Sequence, residues 1–246
     1  MKPFSAQITH VHHSGFIVET INHTLIFDYT EPDRSHPPLQ LNRHNIYQRW
    51  IKDRENVFVF ISHHHQDHFM PSVLDWQSDN PAIHIIAGHD VPIGPSQNCH
   101  LMNPYEKLKV NEVSIESYGS TDDGVSFYVQ VDNISFFHSG DLNWWHWKEF
   151  TATEQEKEEH DFKKEIQLIC NKTIDVAFVP VDPRLEEFYY LAGEYFFETC
   201  KPSLMIPMHF GDHFHISKQF ANKLSHASSS IAILERRGQE IHFVKS

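Results

Sequence analysis

The chain has 246 residues, 40 % hydrophobic and 22 % charged, the composition of an ordinary globular protein with room for a sizeable core. No apolar run approaches the length of a membrane span, and the opening MKPFSAQITH lacks the apolar stretch of a secretory signal, so a cytoplasmic protein without a membrane partner is expected. The formal net charge of −13 argues against a nucleic-acid partner, which needs a basic face, and three cysteines without close spacing predict neither a disulfide framework nor a cysteine-based zinc site.

No repeat or low-complexity linker divides the sequence, so one domain over residues 1–246 is expected. In chain order, AQITHV, GFIVET and TLIFD read as strands, separated by turn residues at His13-Ser14-Gly15 and Asn22-His23. Residues 29–45, with three prolines, read as a long loop, and 44–52 as a short helix. VFVFI (57–61) and AIHIIAG (82–88) are continuous apolar runs, the mark of strands buried on both faces. Four strand-like segments between 107 and 138 form a predicted meander. Residues 153–170 give the clearest helix, with Thr153 as its cap, acidic residues in its first turns, and Phe162, Ile166 and Ile169 on one face. IDVAFVP (174–180) is another buried strand, 185–200 is helix-like, and SLMIPMHF (203–210) is a strand ending in a histidine. A helix at 216–224 and strands at SIAIL (230–234) and EIHFVK close the chain. Strands first and alternation later imply an α/β (α+β) protein with central sheets and outer helices.

Twenty-one histidines are the most unusual feature. In VFVFISHHHQDHFM, His63 and His65 are two apart, so on extended chain they point the same way, and Asp67 and His68 follow as the strand ends. Imidazole and carboxylate are the donors that zinc, iron and manganese take from proteins. A second apolar strand runs into His138-Ser139-Gly140-Asp141, and a third into His209. A Gly-Asp pair alone is an ordinary turn, and one strand-end histidine is most often structural. Three strand ends of the same chemistry point instead to one metal centre.

The order HxHxDH, then strand–Gly-Asp, then strand–Pro-x-His resembles the metallo-β-lactamase superfamily over roughly residues 5 to 245, and the opening hairpins look like those of its lactonase- and phosphodiesterase-like branch. The resemblance implies a four-layer αβ/βα sandwich with two divalent metal ions at one edge. Carried over, His63 and His65 bind the first metal, Asp67, His68 and His209 the second, and Asp141 bridges both. Zinc is the first expectation, with manganese and iron as alternatives.

The family usually supplies a further histidine to the first metal just before the strand VSFYVQV. Here that stretch reads IESYGSTDDGVSFYV, without one. Ser120, Asp122, Asp123 or His146 are the open replacements, or the first site is weak and one metal suffices. Trp144, Trp145 and Trp147 either line a pocket or pack in the core. His13 and Asp28 are expected behind the ligands or as plain turn residues, and Asp182 either orients a ligand or meets substrate through Arg184.

The implied activity is hydrolysis of a small ester, lactone or phosphodiester, the substrate being a small and anionic molecule, by water whose pKa a metal lowers from about 16 towards 7. Asp67 is expected to orient the nucleophile or take its proton, and His138 to donate a proton or a supporting hydrogen bond. The alternative is a mononuclear or non-catalytic, sensory metal-binding protein.

Overall fold

A computed structural model describes residues 4–31 and 41–245. Most of the loop expected at 29–45, residues 32–40, lies outside them.

The first sheet holds seven strands. β1 (Ser5–His12), β2 (Gly15–Glu19) and β3 (Thr24–Phe27) form antiparallel hairpins, and β4 (Val57–Ile61), β5 (His84–Gly88) and β6 (Cys99–Met102) continue parallel to β3. The second sheet holds β7 (Lys107–Val110), β8 (Val113–Tyr118), β9 (Ser126–Val131) and β10 (Ile134–His138) as the expected meander, then β11 (Val176–Pro180) and β12 (Leu204–Met208) parallel to β10. β13 (Glu240–Val244) returns to the first sheet and pairs antiparallel with β1.

Side-chain alternation explains why these apolar runs need cover on both faces. In β4, Phe58 and Phe60 point between the sheets, whereas Val57, Val59 and Ile61 point outward. Phe60 meets Phe127 of the second sheet and Phe16 meets Phe178, with ring centroids 5.4 and 4.4 Å apart. The outward set is covered by α1 (Arg43–Ile46), the turn that follows it, and α2 (Asp75–Asp79), through Ile46, Trp50 and Trp76. On the other side, α3 (Ala152–Ile169), α4 (Leu191–Cys200) and α5 (His215–Lys223) cover the second sheet. Phe162, Ile166 and Ile169 of α3 are buried there, and Phe196 of α4 stacks on Phe137 at 5.2 Å. The four-layer αβ/βα sandwich is therefore the fold.

Four readings are corrected. The cap of α3 is Thr151, in a reciprocal capping box with Glu154, not Thr153. Only Leu191–Cys200 of the 185–200 stretch is α-helical; Pro183–Phe188 is a tighter turn broken by Glu186 at φ 51°. SIAIL is not a strand, because only Ile231 reaches the edge of β12 and makes a single bridge to Met205. Cys170 and Cys200 form a disulfide, their Cα atoms 4.6 Å apart, because the C-terminal ends of α3 and α4 meet; a separation of 30 residues hid this from spacing alone.

Candidate metal centre

The parallel strands of both sheets end at one edge of the sandwich, and the loops leaving them carry the polar residues. Asp28 follows β3, residues 62–68 follow β4, Ser139–Asp141 follow β10, Asp182 follows β11 and His209 follows β12. Carboxyl ends of parallel strands are where open α/β sheets bind ligands.

Two groups of donors converge there. His63, His65 and Asp141 form one; His13, Asp67, His68 and His209 form the other. Asp141 sits between them: its Oδ1 lies 3.0 Å from both His68 Nε2 and His209 Nε2, and its Oδ2 lies 3.6 Å from His63 Nε2. All six residues expected as metal ligands are thus gathered. His13 joins them directly: its Nε2 lies 3.4 Å from Asp67, and its ring centroid lies 4.0 Å from that of His209.

The orientation of each imidazole has a cause. His68 Nδ1–H donates to Asp28 at 2.7 Å, His209 Nδ1–H to Asp182 at 3.0 Å and His63 Nδ1–H to the Ser62 hydroxyl at 2.9 Å. Ser62 in turn donates its backbone N–H and its hydroxyl to Asp28, at 2.7 and 2.6 Å. Each ring therefore presents Nε2 to Asp141, the arrangement that fixes metal-binding histidines. The Nε2 atoms of His13, His63, His68 and His209 and Oδ1 of Asp141 are buried without an aligned hydrogen bond. Orphaned buried donors of this kind are rare unless something else satisfies them, and imidazole plus carboxylate oxygen is the donor set of a transition metal. The residues fit two adjacent divalent ions.

Backbone strain supports the cluster. His13, Asp28 and His209 all have positive φ, at 52°, 40° and 69°, which L-residues adopt at a cost. Gly124 and Gly140 brace the Ser62-His63 corner from the second sheet. A Cβ on Gly124 would stand 2.1 Å from the Ser62 carbonyl oxygen, and one on Gly140 would stand 2.7 Å from Ser62 Cβ.

The electrostatics follow the geometry. Burial pushes His63 down to about 4 and, with His209, pushes His13 down to about 3. Burial also opposes a proton on His209 and His68, but Asp141 with Asp182 and Asp28 outweighs it, holding His209 at about 9 and His68 well above its ordinary range. Burial disfavours the Asp141 carboxylate, yet His209 and His68 hold it well below the usual carboxylate range.

Of the replacements for the missing histidine, Asp123 approaches His65 Nε2 to 3.4 Å, while Asp122 faces the cleft. His146 packs its ring against Phe188 at 4.3 Å and belongs to no donor group among the described residues. His64 and Gln66 stand apart from the two central groups; His64 bonds Asp90 at 2.8 Å.

Of the two roles expected of His138, the supporting hydrogen bond is the one its contacts match, and that of proton donor to a substrate is corrected. It is fully buried, its Nε2–H donates to the Ser14 carbonyl at 2.8 Å, and its Nδ1 accepts from Gly140 N–H at 3.2 Å. With both ring nitrogens engaged and its ring stacked on Phe27, it has no proton to offer a substrate. It ties the β1–β2 turn to the Gly140 loop.

Beside the donors opens a cleft of ≈ 470 Å³, walled by Asp67, Asp122, Trp145, Trp147 and Arg184 among others. Trp145 and Trp147 are parallel, 5.7 Å apart, so two of the three tryptophans do line the cleft. Trp144 instead packs against Phe162 of α3.

A protein-family model described as a beta-lactamase superfamily domain matches residues 7–209, so the chain belongs to that superfamily. Solved structures agree on the metallo-β-lactamase fold. Igni18, a metallo hydrolase from the archaeon Ignicoccus hospitalis, superposes with a TM-score of 0.67 at 15 % identity, covering 97 % of this chain and 98 % of its own. The metallo-beta-lactamase fold protein YhfI from Bacillus subtilis gives 0.63 at 10 % identity, covering 98 % and 100 %. CmlA, a diiron beta-hydroxylase from Streptomyces venezuelae, gives 0.61 at 9 %, with 100 % of this chain spanning 55 % of that one. No curated protein matches. Among the described residues, no helix is long and apolar enough to cross a membrane.

Proposed function

We propose that the chain is a metal-dependent hydrolase of a small ester, lactone or phosphodiester. One observation carries the reading: the orphaned Nε2 atoms of His63, His68 and His209 converge on one buried carboxylate at the wall of an open cleft. His63, His65 and Asp123 would hold one ion, and His13, Asp67, His68 and His209 the other, with Asp141 shared. Bound there, divalent metals supply activated water and polarise the scissile oxygen. Zinc is the first choice; the carboxylates also suit manganese and iron.

The chain's own groups do the rest. Asp67 has a 45 % exposed side chain on the cleft, and His13, whose Nε2 lies 3.4 Å away, holds it well below the carboxylate range. It is therefore ionised and weakly basic, an acceptor that orients the nucleophile by hydrogen bonding. Asp28 and Asp182 keep the imidazoles in one tautomer throughout. Trp145 and Trp147 exclude water from one side of the cleft.

The test is metal content per chain, then turnover of carboxylic ester, lactone and phosphodiester panels by wild type, Asp67→Ala and His68→Ala. Near two ions and activity lost in both variants is the expected result. Activity that survives both variants overturns the reading. A mononuclear or non-catalytic protein is the second reading, favoured by the exposure of His65 and Asp123, whose side chains are 38 % and 53 % accessible. One ion per chain and no turnover of any substrate would place it first.

A further inference from the structure

Among the described residues, Arg184 is the only lysine or arginine lining the cleft, whose charged walls are otherwise Asp67, Asp122, Asp141 and Glu158. It also lines a second opening of ≈ 550 Å³ that reaches His13 and His209, again as the only lysine or arginine among the described residues. It thus stands between the two mouths of the metal centre.

Its side chain is held in place. Asp182 accepts Nε–H at 2.9 Å and Nη2–H at 2.6 Å, and the same carboxylate caps the Arg184 backbone N–H. The guanidinium carbon lies 5.7 Å from the Trp145 ring and 5.8 Å from the Trp147 ring. Yet the side chain remains 54 % accessible, and no hydrogen bond to a described residue uses Nη1. A planar cation pinned along one edge, with its other N–H donors open to the cleft, is preorganised for an oxyanion. The buried Nε1 of Trp145, a residue 7 % exposed, is a further donor without a partner on the same wall.

We infer that Arg184, with the Trp145–Trp147 pair, is the subsite for a singly charged oxyanion on a flat, apolar substrate, either a carboxylate or a phosphodiester. The inference rests on the hydrolase reading and narrows it. The free donors match one oxyanion edge. The paired rings offer an apolar face to the group that carries it. Asp182 beneath, shared with His209, positions the cation against the donors of the second metal.

The test is calorimetric binding to the metal-loaded full chain of phenylacetate, methyl phenyl phosphate and the neutral phenylacetamide, with metal content measured alongside. Wild type is expected to bind an anion more tightly than the amide, and the tighter of the two anions identifies the oxyanion. Arg184→Gln should weaken that anion by about 10- to 100-fold, as loss of a charge-assisted hydrogen bond does, and narrow its advantage over the amide. Arg184→Lys should recover part of the loss, and Trp147→Leu should weaken all three probes. Equal affinity for anions and amide, anion binding unchanged in Arg184→Gln, or loss of metal in that variant would each overturn the subsite. Binding needs no turnover, so the two readings fail separately. Arg184-dependent binding without hydrolysis of any panel substrate removes the hydrolase reading and leaves the subsite. Hydrolysis without Arg184-dependent binding does the reverse.

Discussion

The two edges of the sandwich are built from opposite rules. At the edge opposite the metal centre, Asp132 of the β9–β10 turn accepts hydrogen bonds from Thr20 Oγ1 at 2.6 Å, Asn22 Nδ2 at 2.8 Å and His23 Nδ1 at 2.9 Å, tying the second sheet to the β2–β3 turn. Beside it, Asp175 accepts from Ser135 N and Oγ and from Lys245 Nζ. Every one of these groups has a partner. At the metal edge, four imidazole nitrogens and a carboxylate oxygen are buried without one; positive φ does not divide the edges, since Asp132 at 47° and Asn133 at 62° share it with His13, Asp28 and His209. One edge holds the fold together; the other holds unsatisfied chemistry that a ligand must complete.

Variants should separate the edges. The largest effect is at Asp141: Asp141→Asn removes the carboxylate that both donor groups share, so turnover should fall to background and metal content below one ion, while the unfolding midpoint in chelator does not fall. A fall as large as for a core deletion would break the comparison. Next, chelation should lower the stability of wild type on the order of 4 kcal/mol, the linkage expected when free metal is about a thousand times its dissociation constant; Asp141→Asn should show far less difference with and without chelator. Third, Asp132→Ala should cost about 3 kcal/mol in denaturant unfolding, because several partly buried donors lose one ionised acceptor together, with turnover of the folded enzyme unchanged. Fourth, Asp28→Asn should weaken metal binding by about 10- to 100-fold, since His68 loses the acceptor that fixes its tautomer.

The smallest effect is a pH dependence. Burial raises the pKa of Asp132, but its bonds from Thr20, His23 and Asn22 lower it further, leaving it depressed. A depressed carboxylate stabilises the fold fully above its unfolded pKa of about 3.9 and loses that contribution as pH falls through the folded value. The stability gap between wild type and Asp132→Asn should therefore be constant from neutral pH down to about 4 and close below it. A gap that widened on acidification would contradict the assignment.

Much of the metal edge was legible because its donors cluster in the chain: His63, His65, Asp67 and His68 leave one strand together, and Asp141 and His209 follow strands of the same apolar type. What stayed hidden depends on contacts across the molecule. His13 reads either as a residue behind the ligands or as a plain turn residue, and only the β1–β2 turn folded beside β12 sets it against His209 among the donors. Asp122 and Asp123 are equivalent in sequence, and only the loop geometry places one on His65 and the other in the cleft. His138 looked catalytic because it precedes Asp141 closely, but strand alternation turns it inward onto Phe27. The Cys170–Cys200 pairing likewise needs two helices docked side by side.

The donors run from position 13 to position 209, and the first strand, β1, is paired with the last, β13. A centre gathered across that much chain cannot act as a nucleus, because long loops must close before its donors meet. Metal bound there would arrive at a nearly finished protein and act as a rivet between two sheets already in place. Metal supplied during refolding should then leave the early phases untouched and slow unfolding instead, so that supply of the ion after synthesis would govern how long the molecule lasts rather than whether it folds.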